Sequence, residues 1–182
     1  MGAKEPVLLT VFVETASLRW FVAGIDAHGT AIPLACSEPG NLSPYLGVAL
    51  DEQVNFLRHR FAGVLQRGCD RLWGRQQKPF QIVFVTDAPF AEAPPELTRR
   101  VADHFVAWMT SPAVVFFTNR AGNSPSEPAT LELVAGALDP GWQTAFESGL
   151  SQIVAAVQQP GAFELAPPKK NPGEQSSSTA TS

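Results

Sequence analysis

Two acidic residues stand at the ends of apolar, β-branched runs, where folded strands would present them to a ligand. Glu14 lies near the end of residues 7–15 (VLLTVFVET), and Asp87 directly follows residues 81–86 (QIVFVT). Ligands of α/β proteins bind beside the carboxyl ends of strands, and carboxylate oxygens suit Mg²⁺ and Mn²⁺. These acids are therefore candidate metal ligands. The alternative is that each carboxylate caps the following turn or is simply solvated.

A second chemical pattern is a run of basic residues. Between residues 58 and 78 there are six Lys or Arg residues and one acid, Asp70, with Trp73 among them. At 100° per residue, five of the basic residues would share one face of a helix that extended through all of them. They are Arg60, Arg67, Arg71, Arg75 and Lys78. Such a surface could follow the phosphates of a nucleic acid, or it could be an ordinary solvated flank.

Other familiar sites are not indicated. The three histidines, at positions 28, 59 and 104, have no zinc-site spacing. Cys36 and Cys69 form no Cys-x-x-Cys pair. The chain contains no Gly-x-Ser-x-Gly elbow, no Walker A pattern and no Gly-x-Gly-x-x-Gly fingerprint. We therefore expect no cofactor, unless the acids hold Mg²⁺ or Mn²⁺.

Composition limits the class of protein. The chain has 182 residues, 45% of them hydrophobic and 16% charged, with a formal net charge of −4. That is enough for one domain with a sizeable core, and it argues against a polycation that coats nucleic acid. No apolar run approaches the roughly 20 residues of a membrane span, so no membrane partner is expected. Two cysteines and the lack of a signal-peptide pattern favour a cytoplasmic location.

Hydrophobic periodicity predicts alternating strands and helices. Strands are expected at 7–15, 18–26, 30–36, 81–86 and 113–118, and helices at 52–73, 96–110, 129–138 and 139–158. The first three strands are joined by short turns, which predicts an antiparallel meander. Residues 1–160 should form a single α/β domain. Residues 161–182, rich in Pro, Ser and Lys, should form a disordered tail.

This order, βββαβαβα, resembles the ribonuclease H-like fold, and two short segments strengthen the resemblance. Residues 11–17 (VFVETAS) are similar to the first strand of such nucleases, and residues 83–88 (VFVTDA) to their fourth. The resemblance implies a mixed five-stranded sheet flanked by helices, with Glu14 and Asp87 side by side on adjacent strands. It further implies acids from the first helix and from the helix after the fifth strand, for which Glu52 and Glu132 are the candidates. Two divalent metals held by such acids would cleave phosphodiesters.

The first helix argues against a complete catalytic set, because Glu52 falls about opposite its apolar face. We therefore expect a non-catalytic binding or scaffold module with a protein partner. The runner-up is a nuclease or phosphodiesterase that uses Mg²⁺ or Mn²⁺, with nucleic acid on the basic residues. An actin-like nucleotide-binding protein is a third hypothesis, although the short link at Ala16-Ser17 lacks the glycine of a phosphate loop.

Overall fold

A mixed β-sheet forms the centre of the molecule, with a helix packed on each face. The computed structural model describes residues 4–14, 19–40, 48–87, 114–118 and 131–166. The described strands are β1 (Glu5–Glu14), β2 (Arg19–Ile25), β3 (Ala31–Ser37), β4 (Gln77–Asp87), β5 (Val114–Thr118), β6 (Leu131–Ala135) and β7 (Glu164–Ala166). The described α-helices are α1 (Leu50–Gly74) and α2 (Gln143–Val157), and a 3-10 turn at Pro140–Trp142 leads into α2.

The strands lie in the order β6-β5-β4-β1-β2-β3-β7. β1 pairs antiparallel with β2, and β2 with β3, which confirms the predicted meander. β1 pairs parallel with β4, and β4 with β5. The five predicted strands therefore form the centre of a mixed sheet, and the prediction of an α/β protein is confirmed. The two outer strands, β6 and β7, were not predicted.

Side chains of β1 alternate between the two faces of the sheet, as the period of a strand requires. Val11 and Val13 belong to the core beneath α1, which contributes Leu65 and Leu72. The residues between them on β1, such as Phe12, belong to the second core, beneath α2. Because β1 is apolar on both faces, it is a central strand covered on both sides.

Helix α2 is held against β2 and β3 by close packing and by one side-chain amide. Gln152 Oε1 accepts from Ala31 N at 2.9 Å, and Gln152 Nε2 donates to Gly29 O at 2.8 Å. A Cβ atom built on Gly149 would lie 2.6 Å from Ile25 Cγ2. The helix approaches the sheet this closely only because residue 149 has no side chain.

The segment predicted as a helix at 129–138 is instead partly strand. Residues 131–135 form β6, antiparallel to β5, with Phe117 opposite Glu132. Leu, Glu and Ala favour helices locally, but pairing here satisfies backbone groups along the outer side of β5. Gly136 follows with φ 78°, a conformation that favours glycine and ends the strand.

The domain extends past the boundary expected after residue 160. Residues 164–166 pair in parallel with β3, so the start of the predicted tail belongs to the sheet. Residues 167–182 lie outside the described residues, and their disorder stays a prediction. The predicted helix at 96–110 also lies outside them. The last predicted helix is confirmed, since Asp139 Oδ1 accepts from Gly141 N at 3.0 Å and caps the turn before α2.

Candidate functional site

The strand ends bring Glu14 and Asp87 to the same end of the sheet. β1 and β4 are parallel neighbours, and their last paired residues are Val13 and Thr86. The backbones of Glu14 and Asp87 come next on each strand, so the expectation that strands 1 and 4 lie side by side is confirmed. The side chain of Asp87 lies outside the described part of the chain.

Helix α1 begins toward this end of the sheet. It ends where β1 and β4 start, since Glu5 N donates to Gln76 O at 3.0 Å. Its 25 residues span roughly 37 Å, about the length of β4, so the first turn approaches the ends of the two strands. That turn contains Asp51 and Glu52, and both are exposed. The helix starts at Leu50 with Ala49 as its N-cap.

Arg19 is the immediate neighbour of Glu14 across the β1–β2 ladder. The two residues are directly opposed in register, which places their Cβ atoms roughly 5 Å apart on one face. Arg19 Nε donates to Ser37 O at 3.1 Å, and its guanidinium lies 5.2 Å from the centre of the Phe21 ring. The cation is thus fixed by β3 and the sheet surface. A fixed positive charge beside Glu14 opposes the binding of a divalent metal there.

Glu132 is separated from the other candidate acids. It lies on β6, and β5 and β4 stand between β6 and β1. Three strand spacings place its backbone roughly 14 Å from that of Glu14. Its side chain, like that of Asp87, is outside the described part. Among the described residues, no three or more His, Cys, Asp or Glu residues come together to hold a metal ion.

The five basic residues do not share one helix face. Helix α1 ends at Gly74, so Arg75 is its C-cap and Lys78 belongs to β4. The side chain of Arg60 is not described. The remaining two, Arg67 and Arg71, both contact the carboxylate of Glu164.

The contacts with Glu164 give Arg67 and Arg71 a structural role. Arg67 Nε lies 3.6 Å from Glu164 Oε1, and Arg71 Nη1 lies 3.1 Å from Glu164 Oε2. Arg71 Nη1 also donates to Leu34 O at 2.7 Å. The two arginines thus connect α1 to β3 and β7, which lowers the positive charge that this surface can offer to phosphates.

The aromatic residue Trp73 lies at the C-terminal end of α1. Trp73 is 45% exposed, and Lys4 Nζ lies 3.2 Å from the centre of its ring. This is the geometry of a cation–π contact. Arg75 and Lys78 lie close to it in sequence, so these two basic residues are near the start of β4 rather than near Glu14.

The sequence patterns did not identify two residues that are important to this arrangement, Arg19 and Glu164. Arg19 follows Glu14 after a link of four residues, and hairpin register would have placed the two opposite each other. Glu164 gave no such signal, because it lies in a segment whose composition is typical of a tail. Its pairing with Arg67 and Arg71 depends on residues nearly a hundred positions earlier in the chain.

The two cysteines are buried thiols on opposite faces of the sheet. Cys36 belongs to the core beneath α2, and Cys69 belongs to the core beneath α1. Burial, with a smaller contribution from the carboxylate of Asp70, raises the pKa of Cys69 to about 12. A protonated, buried thiol is a poor nucleophile and a poor metal ligand.

Comparisons with known proteins add no relative to this description. No family model, no curated protein and no solved structure matches the chain. Within the described residues, no helix has the length and apolar character needed to cross a lipid bilayer. The functional interpretation therefore depends on the geometry of the chain itself.

Proposed function

We propose that this chain is a non-catalytic binding module with a ribonuclease H-like arrangement of strands and a protein partner. Its central strands, in the order β5-β4-β1-β2-β3 with β1 parallel to β4, support that arrangement. The binding role follows from the described strands, in which Glu132 lies three strands from Glu14, too far to share a metal ion with it.

The position of β6 is the observation that carries the proposal. Two metals in a phosphodiesterase site lie roughly 4 Å apart and share their carboxylate ligands. Glu132 on β6 is two strands away from Asp87 and three from Glu14. Arg19 already places a positive charge opposite Glu14. Within the described ranges, the acids at the strand ends therefore do not supply the concentrated negative charge that two divalent ions need.

A protein partner is favoured over nucleic acid by the exposed surface. Arg67 and Arg71 are engaged with Glu164, so they are less available to phosphates. In contrast, Leu133 on the outer strand β6 is 53% exposed. An apolar side chain on an outer strand can contact another protein through that strand's open edge.

One observation favours a metal-dependent hydrolase as the second candidate. The backbones of Glu14 and Asp87 stand at adjacent strand ends, where a single Mg²⁺ or Mn²⁺ ion could be held. That site would use Glu14 and Asp87, with Glu52 from the first turn of α1 as a further ligand. Its chemistry would be the activation of water for phosphodiester cleavage.

A cleavage assay with metal titration separates the two candidates. The wild type and the Asp87→Asn variant are incubated with single-stranded and hybrid nucleic acid in Mg²⁺ or Mn²⁺, and metal binding is followed by calorimetry. Asp70→Asn, at an exposed residue toward the far end of α1, is the matched control. We expect no cleavage and no difference between variants. Cleavage by wild type and Asp70→Asn, lost in Asp87→Asn, would replace the proposal with the hydrolase.

A binding measurement tests the remaining role for nucleic acid. Fluorescence anisotropy with a labelled single strand, at 50 and 200 mM salt, reports phosphate contacts through their salt dependence. We expect weak binding that Lys78→Glu does not change. Tight binding that falls steeply with salt and is lost in Lys78→Glu would make the basic residues near β4 the functional surface.

A further inference from the structure

Strand β6 is the outermost described strand on the β5 side of the sheet. It pairs antiparallel with β5, and every second residue of such a strand points its backbone N–H and C=O away from its partner. Its five residues, LELVA, include neither Lys nor Pro, which commonly protect outer strands from pairing. Among the described residues, the backbone of β6 is thus available to a further extended segment.

The apolar core beneath α2 continues onto β6 and is uncovered at one residue. Phe116 of β5 packs against Phe146 of α2, with 5.3 Å between the ring centroids. On β6, Leu131 packs partly buried against the same core, and Leu133 lies opposite Phe116 in the ladder. Leu133 is 53% exposed. An apolar side chain on an added strand would therefore extend this core by covering Leu133.

The part of the chain around this edge is acidic. Residues 131–166, which include β6 and α2, contain four acidic residues and no Lys, Arg or His. One of them, Glu164, is joined to α1 by its contacts with two arginines. The other three are Glu132, Asp139 and Glu147, and the last two are exposed. Complementary charge favours a basic partner for such a surface.

The register of β6 determines the chemistry of the added segment. Glu132 lies opposite Phe117 of β5, so its neighbour in the ladder carries no positive charge. A Lys or Arg opposite Glu132 on the added strand would supply that charge, because opposed residues of opposite sign stabilise a strand pair. Leu133 comes next and lies on the other face of the sheet. The matching segment therefore alternates basic and apolar residues.

A second copy of the chain fits this edge less well than a basic segment does. A contact between two copies through β6 would bring two acidic surfaces together, because a two-fold interface joins identical patches. Each chain also carries a formal net charge of −4. Like charges oppose such a contact, whereas a basic segment of another protein meets no such repulsion.

We propose that β6 binds an extended segment of a partner protein in which Lys or Arg alternates with apolar residues. The segment adds a strand beside β6, a common mode of peptide recognition at open sheet edges. Its backbone pairs with the outward N–H and C=O groups of β6, its apolar residues cover Leu133, and its basic residues lie opposite Glu132. This inference rests on the proposed binding function, for which it names the surface and the class of partner.

Fluorescence anisotropy with a labelled peptide of four Lys-Val repeats tests the proposal on the full-length wild type. Two peptides of the same length are its controls. Four Glu-Val repeats reverse the charge, and four Lys-Pro repeats keep the charge but cannot pair as a strand, because Pro has no N–H. We expect the Lys-Val peptide to bind about tenfold more tightly than either control. Equal binding of either control, or no binding of the Lys-Val peptide at about 1 mM, would overturn the proposal.

Two matched variants locate the binding surface. Leu133→Lys places a charge on β6, whereas Leu165→Lys makes the same change on the other outer strand, β7. The two native side chains are exposed to a similar extent, 53% and 50%. Leu133→Lys should weaken binding of the Lys-Val peptide about tenfold, and Leu165→Lys should leave it within about twofold of the wild type. An equal effect of the two substitutions would contradict binding at β6.

Two measurements on the wild type complete the test. Saturating Lys-Val peptide should slow amide hydrogen exchange in residues 131–135 and leave residues 164–166 unchanged. Unchanged exchange in β6 would contradict the proposal. Light scattering gives the molar mass of the protein alone, which should be that of a monomer of 19.5 kDa. A dimer that Leu133→Lys dissociates would mean that a second copy, rather than a basic segment, occupies the edge.

The peptide and cleavage results together distinguish a wrong surface from a wrong function. If the Lys-Val peptide does not bind and the wild type does not cleave nucleic acid, β6 is not the site, and the partner binds elsewhere on the chain. Cleavage that is abolished by Asp87→Asn would instead remove the proposed binding function itself.

Discussion

Arg19 determines what Glu14 can do at the end of β1. Directly opposed residues of an antiparallel pair interact through their side chains, and here an arginine faces an acid. The guanidinium is also held by the carbonyl of Ser37 at 3.1 Å. A ligand that approaches Glu14 therefore meets a fixed cation beside it. This favours a polar or anionic group of a partner over a metal ion at that strand end.

Cys69 is the residue whose titration should be visible in the stability of the protein. Burial raises its pKa to about 12, whereas an unfolded thiol titrates near 8.5. Below about pH 8.5 the thiol is protonated in both states, and its contribution to stability is fully present. Above that pH the unfolded state loses the proton first, so the contribution disappears as the pH rises toward 12.

We therefore predict a steeper alkaline loss of stability in the wild type than in Cys69→Ala. The free energy of unfolding, measured by urea titration between pH 8 and 11, should fall by about 3 kcal/mol more in the wild type. The variant should be less stable at pH 8 because it leaves a small cavity, so the slope is the quantity to compare. If the free energy of unfolding fell equally with pH in the two proteins, Cys69 would titrate at its ordinary pKa.

Helix α2 packs at a distance set by a glycine. Gly149 faces Ile25 of β2, and a Cβ atom there would lie within 2.7 Å of three Ile25 carbon atoms. Real Cβ atoms do not approach so closely, so an alanine would push the helix from the sheet or force Ile25 into a poorer rotamer. Gly74, the last residue of α1, has no described atom within 4 Å of the same position.

The matched pair Gly149→Ala and Gly74→Ala separates packing from helix propensity. Each change should gain up to about 1 kcal/mol from the better helix propensity of alanine. In Gly149→Ala, the cost of overpacking should exceed this gain, so the free energy of unfolding should fall by about 1–2 kcal/mol. Gly74→Ala should be neutral or slightly stabilising. Urea titration measures both, and a stable Gly149→Ala protein would mean that α2 can move away from β2 at no cost.

The outer strands show how neighbouring elements decide secondary structure. Residues 131–135 contain helix-forming Leu, Glu and Ala, yet they pair with β5. Residues 164–166 lie in a segment whose composition is typical of a tail, yet they pair with β3. Both strands lie beside strands that the periodicity predicted correctly. An outer strand is stabilised by its partner more than by its own sequence.

At the scale of the whole molecule, the fold should depend on β7 but not on the residues that follow it. Phe163 and Ala166 are buried, and Glu164 joins β7 to α1. Loss of an aromatic side chain from a core costs about 3 kcal/mol. For a domain of this size 1 kcal/mol corresponds to roughly 2–4 °C in Tm. Removal of β7 should therefore lower Tm clearly.

Two truncated chains test this dependence. A chain that ends at Ala166 should melt within about 4 °C of the full chain, because the Pro- and Ser-rich composition of residues 167–182 offers little apolar surface for a core. A chain that ends at Ala162 should melt roughly 6–12 °C lower. Differential scanning calorimetry gives both values. An equal loss in the two chains would show that residues after Ala166 also pack on the domain.

The local pattern of the chain determined its central elements. The apolar run of β1 and the periodic apolar face of α1 specify strand and helix from neighbouring residues alone, because each period matches one backbone geometry. The turn at Asp26 is local too: its Oδ1 accepts from the backbone nitrogens of His28 and Thr30, each at 2.9 Å. The α/β class and the adjacency of β1 and β4 followed from these elements in order.

Only the tertiary structure decided the outer strands and the partners of the charged residues. Pairing of β6 depends on the outer side of β5, and pairing of Glu164 depends on Arg67 and Arg71, far away in sequence. Helical spacing predicted one shared face for the five basic residues, but it could not show that α1 ends at Gly74 or which acid would meet them. Contacts between distant segments form when the sheet is assembled. They have no local signature in the chain, so the pattern of neighbouring residues does not predict them.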